Sequence, residues 1–302
     1  MRRSVSSKPR LKTIALILVF ISTAVGTARF CHHATKGFRL SKIRSNLTDG
    51  MPALATEQER AFTEKLFEQK FHYLGRGLQS FVFESEDGHY VLKLFNNRYQ
   101  EKIALFSFLS HFPGLGRWAC KRSHYFQEKL SKTFNSYAIA FDEMQDKTGL
   151  LYIHLSPTSN LPQRLQLLDP LFICHELNPN EIGFLIQKKA ELVYPALKKY
   201  LNSKDIDGAK RALSSLIELF FWKWRHAIAD NDPLIRTNYG FVEGKAIQID
   251  VGPLSKMAAA QSFEENHKQI EKITASLKFW LTENAPELTA FLDQELLQQL
   301  SL

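Results

Sequence analysis

Thr13 to Ala28 is a run of sixteen residues in which no side chain is charged and most are apolar. Thr56 with Glu59 then forms a capping-box pattern that opens a helix to about Lys70, with Phe62, Leu66, Phe67 and Phe71 on its apolar face. Ser80 to Glu84 alternates as a strand, Glu86-Asp87-Gly88 turns the chain, and His89 to Phe95 returns as a second strand, so this stretch predicts a hairpin sheet. Helical periodicity follows over Tyr99 to Phe112 and Ser123 to Asp146, and strand patterns over Leu150 to Leu155 and Arg164 to Glu176. Two helices come next, Glu181 to Leu201 and Asp205 to Trp224; in the second, Leu213, Leu216, Ile217, Phe220, Phe221 and Trp224 make a strongly apolar pattern. Pro233 forces a loop after it. A short apolar strand from Ala246 and helices over Phe263 to Glu283 and Pro286 to Leu300 complete the pattern.

Charge changes the reading of the first segment. The chain of 302 residues carries +8, yet residues 1 to 50 hold ten Lys/Arg against the single acid Asp49, and the remainder is close to neutral at −1. A nucleic-acid-binding role is therefore not expected, because neutralising phosphates needs basic residues spread over the folded surface. Five basic residues precede the apolar run, which is the layout of a targeting segment. One reading is an uncleaved anchor crossing a membrane once through residues 11 to 30, with Lys12 and Arg29 snorkelling so that the run reaches the roughly 20 residues a bilayer needs. The other is a leader cut near Ala28, where Gly26 and Ala28 supply small residues for a signal peptidase, followed by export. The anchor is the reading carried forward; five basic residues on each side leave its orientation open. Cys31, Cys120 and Cys174 have no CxxC spacing, so neither a disulfide framework nor a zinc site is expected.

Candidate chemistry lies in three pieces. Gly75-x-Gly77 sits at a turn where bare backbone N–H groups can approach a phosphate, and Lys93 on the following strand can reach the same phosphates as a point charge. The second piece is the loop after the apolar helix, with Asp230, Asp232 and Asn238; the third is Asp250-Val251-Gly252 at the end of a short strand. An Asn carbonyl and an Asp carboxylate converging on one point suit Mg²⁺, which takes hard oxygen ligands and bridges substrate phosphates. Together these residues resemble a divergent member of the protein-kinase-like superfamily, an atypical kinase or a pseudokinase. Gly75-x-Gly77-x-x-Ser80-x-Val82 matches its glycine-rich loop with Ser80 in place of the third glycine, and Val91-Leu92-Lys93 matches its strand lysine. Asp232 falls at the catalytic aspartate, with Asp230 where the family usually has His. Asn238 is the metal-binding Asn, one residue further on than the family spacing, and Asp250-Val251-Gly252 resembles the Asp-Phe-Gly element.

The resemblance implies an α+β, two-lobed fold behind an N-terminal hydrophobic helix, with a small antiparallel sheet lobe and a truncated helical lobe. The corresponding divisions are a targeting segment or anchor at 1–30, a linker at 31–55, an N-lobe at 56–177 and a C-lobe at 178–302. It also implies a hinge near Leu177 to Asn180 and a glutamate that pairs with Lys93, for which Glu128 is the candidate and Glu101 the competitor. ATP and Mg²⁺ are the implied cofactors. Gly75, Gly77, Ser80, Lys93 and Glu128 would hold the nucleotide, Asn238 and Asp250 the metal, and Asp232 with Lys93 would carry catalysis. The acceptor, a small molecule, a lipid or a protein, is left open. Two other readings stand beside the phosphotransferase: an inactive kinase-fold interaction module, and an unrelated α+β membrane-associated protein.

Overall fold

A computed structural model describes residues 8–43, 57–252, 254–257 and 263–300; Thr56 and its capping box lie outside them. The N-terminal helix α1 (Lys8–Ala34) has 27 residues, well beyond the sixteen-residue apolar run. Its stretch Lys12–Ala34 has a mean hydropathy of 2.0 over its most apolar window, none of that window is buried, and it is long and apolar enough to cross a membrane. At about 1.5 Å per residue those residues span more than the ~30 Å of a hydrocarbon core. The segment after α1 is not a free linker. Gly37, at φ +77°, turns the chain so that Phe38 and Ile43 are buried among the aromatic rings of the small lobe. Phe38 meets Phe81 and Phe83 edge-on at 5.2 and 5.4 Å. The polar, basic residues between had masked two core side chains.

Helix α2 (Glu57–Phe67) leads into a seven-stranded sheet made by β1 (Lys70–Arg76), β2 (Ser80–Ser85), β3 (Tyr90–Phe95), β4 (Leu150–His154), β5 (Leu165–Leu168), β6 (Cys174–Leu177) and β7 (Phe184–Lys188). The strand order is β4-β7-β3-β2-β1-β5-β6, with β1 and β5 parallel and the other neighbours antiparallel. Alternation places Phe81 and Phe83 of β2 inward, against Phe71, Leu92, Leu94, Leu167 and Phe184. Between β3 and β4 the chain forms α3 (Arg98–Leu109), the long α4 (Gly116–Glu143) and one turn, α5 (Gln145–Thr148).

Two expectations about this lobe are corrected. Arg164 to Glu176 is a hairpin of β5 and β6 turned through Asp169 to Ile173, not one strand. The segment expected to begin a helix at Glu181 is instead β7, so the sheet continues to Lys188 and the lobes join at Lys189 and Ala190 rather than near Leu177 to Asn180. The cause is burial on both faces: Phe184 to Gln187 are all buried, so the strand shows no alternation. Asn178 to Glu181 form a local turn after β6, in which the Asn178 side chain accepts from Asn180 N–H.

The larger lobe begins at β8 (Glu191–Leu192) and contains α6 (Val193–Asn202), α7 (Ile206–Arg225), β9 (Ile228–Asp230), α8 (Ile235–Asn238), β10 (Tyr239–Val242), β11 (Lys245–Gln248), β12 (Leu254–Lys256), α9 (Phe263–Asn284) and α10 (Pro286–Leu300). The carboxylate of Asp205 caps α7 by accepting from Gly208 N–H at 2.8 Å. Ala209, Ala212, Leu213, Leu216, Ile217 and Phe220 then line its buried face against Leu277, Leu281, Leu288 and Leu292 of α9 and α10. The β10–β11 hairpin turns at Glu243 and Gly244, both with positive φ. Gly240 has no freedom to change: a Cβ there would lie 2.6 Å from the carbonyl oxygen of Glu191, where β10 crosses β8. The result is the expected two-lobed α+β fold, a sheet lobe and a helical lobe behind an apolar N-terminal helix.

Candidate active site

Antiparallel pairing of β1 and β2 puts the glycine turn over one end of the sheet. The turn closes through Gly77 N–H donating to Ser80 C=O at 2.9 Å, and space for a Cβ is open at Gly75. Lys93 lies in mid-sheet, paired with Val82 on one side and Leu185 on the other. Its ammonium crosses to the larger lobe and donates to the carbonyl of Ile249 at 2.6 Å, one residue before Asp250. Burial pulls the Lys93 pKa down to about 8, against the opposing pull of the Asp250 charge. The lysine strand and the Asp-Val-Gly segment, 156 residues apart in sequence, therefore meet.

The second and third pieces also meet. Asn238 is buried at the end of α8, and its side-chain N–H donates to the backbone carbonyl of Asp232 at 2.7 Å and lies 3.5 Å from the Asp232 carboxylate. The Asn238 backbone carbonyl in turn accepts from Ile249 N–H at 2.7 Å. This spans the extra residue between Asp232 and Asn238: the loop absorbs it, and the two side chains still face each other. Asp232 itself is exposed. The Asp250 carboxylate is also exposed and accepts from Gly252 N–H at 3.0 Å. Asn238 Oδ1 accepts from the Thr237 hydroxyl at 2.8 Å; this amide oxygen and the exposed Asp250 carboxylate are hard oxygens of the chemical type that Mg²⁺ takes.

The Asp230 carboxylate is engaged inside the protein. Its Oδ2 accepts from Lys223 at 3.2 Å, from Gln248 at 2.8 Å and from the Tyr239 hydroxyl, and its Oδ1 accepts from Asp232 N–H at 3.0 Å. The Lys223 and Asp230 side chains are 6% and 4% exposed. Lys223 further donates to the Tyr239 oxygen at 2.5 Å and to Gln248 at 3.0 Å, and Gln248 donates to the Asp250 carbonyl at 2.9 Å. Burial lowers the Lys223 pKa and raises that of Tyr239. This network is the floor under the candidate loop. We did not anticipate Lys223, although it continues the Leu216, Phe220 face of α7, where a charge requires a buried partner.

Glu128 is placed differently from expectation. It lies on the exposed side of α4, Glu101 is exposed on α3, and the carboxylate whose charge acts on Lys93 is that of Asp250. The buried side of α4 instead carries Ser136 and Tyr137. Ser136 donates to the Val251 carbonyl and accepts from Leu254 N–H at 2.7 Å, clamping the chain on either side of Gly252. Burial and the nearby Asp250 charge hold the Tyr137 hydroxyl protonated, and it donates to Gln79 at 3.4 Å. Replacing Ser136 by Ala leaves both backbone groups without that partner; the expected loss is about 1–3 kcal/mol in urea unfolding, with faster amide exchange at Leu254.

No protein-family model matches the chain, and no curated protein matches it in sequence. Solved structures to which it is similar include the bifunctional kinase-methyltransferase WbdD, 14% identical over 74% of this chain and 43% of that one, TM-score 0.32. A second WbdD structure is 12% identical over 76% and 46%, TM-score 0.34. The complex of Rv3197 with erythromycin from Mycobacterium tuberculosis is 13% identical over 76% and 57%, TM-score 0.33. The chain spans about half the length of these structures. What its cleft can do is therefore decided by its own side chains.

Proposed function

We propose that the chain is an atypical phosphotransferase that moves the γ-phosphoryl group of Mg·ATP to a hydroxyl acceptor, held at a membrane by α1. The observation that carries this reading is the bridge from Lys93 to the carbonyl of Ile249, beside Asp250, and from Ile249 N–H to the Asn238 backbone carbonyl, so that the three distant pieces lie together. There the turn of Gly75, Gly77 and Ser80 would lie over the phosphates, its glycines letting the backbone approach closely, and two further Lys93 N–H donors would reach phosphate oxygens. Asn238 and Asp250 would hold Mg²⁺, which neutralises charge on the transferred group. Asp232 would accept the proton of the attacking hydroxyl as its oxygen bonds to phosphorus and the bond to the leaving diphosphate breaks.

The test is thermal denaturation of the full chain in detergent with Mg·ATP, alongside Lys93→Ala and Asp250→Ala. The full chain is needed because a start at residue 56 would remove Phe38 and Ile43 from the small-lobe core. Saturation a hundredfold above Kd is expected to raise the midpoint by about 5 °C or more in the native protein and not in either variant. No shift with any nucleotide would sink the proposal. The inactive-module reading is favoured by Gln79, whose side chain reaches from the glycine turn to within 3.2 Å of a Cβ built on Gly252, narrowing the cleft. A shift with no turnover of ATP by the native chain would decide for that reading.

A further inference from the structure

Helix α1 leaves the small lobe at a defined place. Gly37 is covered by the Arg76 guanidinium, with a Cβ-to-Nη1 distance of 2.2 Å were a Cβ present, and Lys36 lies over the Tyr73 ring at 5.6 Å. Phe38 also meets the His175 ring at 6.0 Å. The exit of α1 is thus level with Tyr73 to Arg76 at one end of β1. The β5–β6 hairpin points to the same end. Strand β5 runs parallel to β1, with Leu168 opposite His72, so the residues after Leu168 lie beside the Tyr73 to Arg76 end.

That hairpin turns through three apolar side chains, Leu171, Phe172 and Ile173, which are 46%, 81% and 52% exposed. The turn is built rather than loose. The Asp169 carboxylate accepts from Leu171 N–H at 2.8 Å and Ile173 N–H at 3.0 Å on one oxygen and contacts His175 at 2.9 Å on the other. Phe172 is held at φ +62°, a conformation that costs a residue other than glycine free energy. Three adjacent apolar residues at a braced tip are a patch that water does not favour. Around the same exit stand the exposed cations Lys36, Arg39 and Arg76. From Phe30, the end of the membrane-crossing segment in the anchor reading, to Ala34 the helix rises about 6 Å, so a bilayer entered by α1 begins close to this face.

We infer that the Leu171–Phe172–Ile173 tip is a second membrane contact, inserted into the lipid interface that α1 enters, with Lys36, Arg39 and Arg76 facing anionic headgroups. The inference rests on the membrane-anchored reading of α1. Its test uses the full chain in vesicles of phosphatidylcholine and phosphatidylglycerol, with Cys31, Cys120 and Cys174, all exposed, replaced by Ser. A bimane probe is placed either at Phe172→Cys or, as control, at Lys245→Cys in the β10–β11 hairpin, and quenched by phosphatidylcholine brominated on its acyl chains. The probe at 172 is expected to lose about half its emission or more, the probe at 245 little. Flotation with the vesicles and equal, weak quenching at both positions would overturn the membrane contact and leave the anchor intact. Failure to float with the vesicles would remove the anchor, and the tip contact with it.

Discussion

Asp232→Ala is expected to lower phosphoryl transfer by about a hundred- to ten-thousandfold while protection of the chain by Mg·ATP stays close to native. The separation follows from where the loop takes its hydrogen bonds. Asp232 contributes its backbone N–H to Asp230 and its backbone carbonyl to Asn238, and an alanine keeps both. What is lost is an exposed carboxylate with one long side-chain contact at 3.5 Å. Asp232→Asn retains the shape without the basicity and should lose as much rate. Asp230 cannot substitute, because four donors already occupy its two oxygens inside the protein. Transfer by Asp232→Asn at the native rate would remove Asp232 from the chemistry, and the check is steady-state kinetics beside the thermal shift on the same samples.

That the loop does its work through backbone bonds explains which parts of the site the sequence could reveal. Gly75, Gly77, Lys93, Asp232, Asn238 and Asp250 can be picked out from residue type and order along the chain, and a local hairpin or loop turn carries each of them. The contacts that join them are long-range and backbone-mediated, such as Lys93 to the Ile249 carbonyl and Ile249 N–H to Asn238. No side-chain pattern encodes a carbonyl acceptor. The glutamate partner failed for a related reason: sequence position along a helix does not say which side faces the cleft until its buried stripe is known, and Ser123, Phe126, Thr133 and Tyr137 put that stripe away from Glu128. Strand β7 and the hinge were misplaced because double-sided burial erases alternation, and the core side chains at 35–43, the described part of the expected linker after α1, were missed because Phe38 and Ile43 are isolated among charges. The helices of the larger lobe were legible since each buries one face at a regular spacing, the feature periodicity detects.

The buried ion pair beneath the loop carries the largest expected effect on stability. Lys223→Met is expected to destabilise the protein by about 3–5 kcal/mol, a fall of roughly 10 °C in the unfolding midpoint. The methionine fills similar volume in α7 but leaves the Asp230 charge inside the protein without its cation. Two donors remain on that carboxylate oxygen, Tyr239 and Gln248, and they keep the loss from being larger. If the cost is electrostatic and not one of packing, neutralising the partner as well should return much of it. Lys223→Met with Asp230→Asn is expected to be more stable than Lys223→Met alone, with a coupling of about 2 kcal/mol in a double-mutant cycle. Strict additivity would show that Lys223 supports the helix by packing alone. Transfer activity should not recover with stability in the double variant. The amide that replaces Asp230 presents one acceptor oxygen where the carboxylate had two, so it cannot hold both Gln248, which fixes the Asp250 carbonyl, and the Asp232 N–H. A protein that is stable again but still slow would locate the function of this pair in positioning the two aspartates across the cleft.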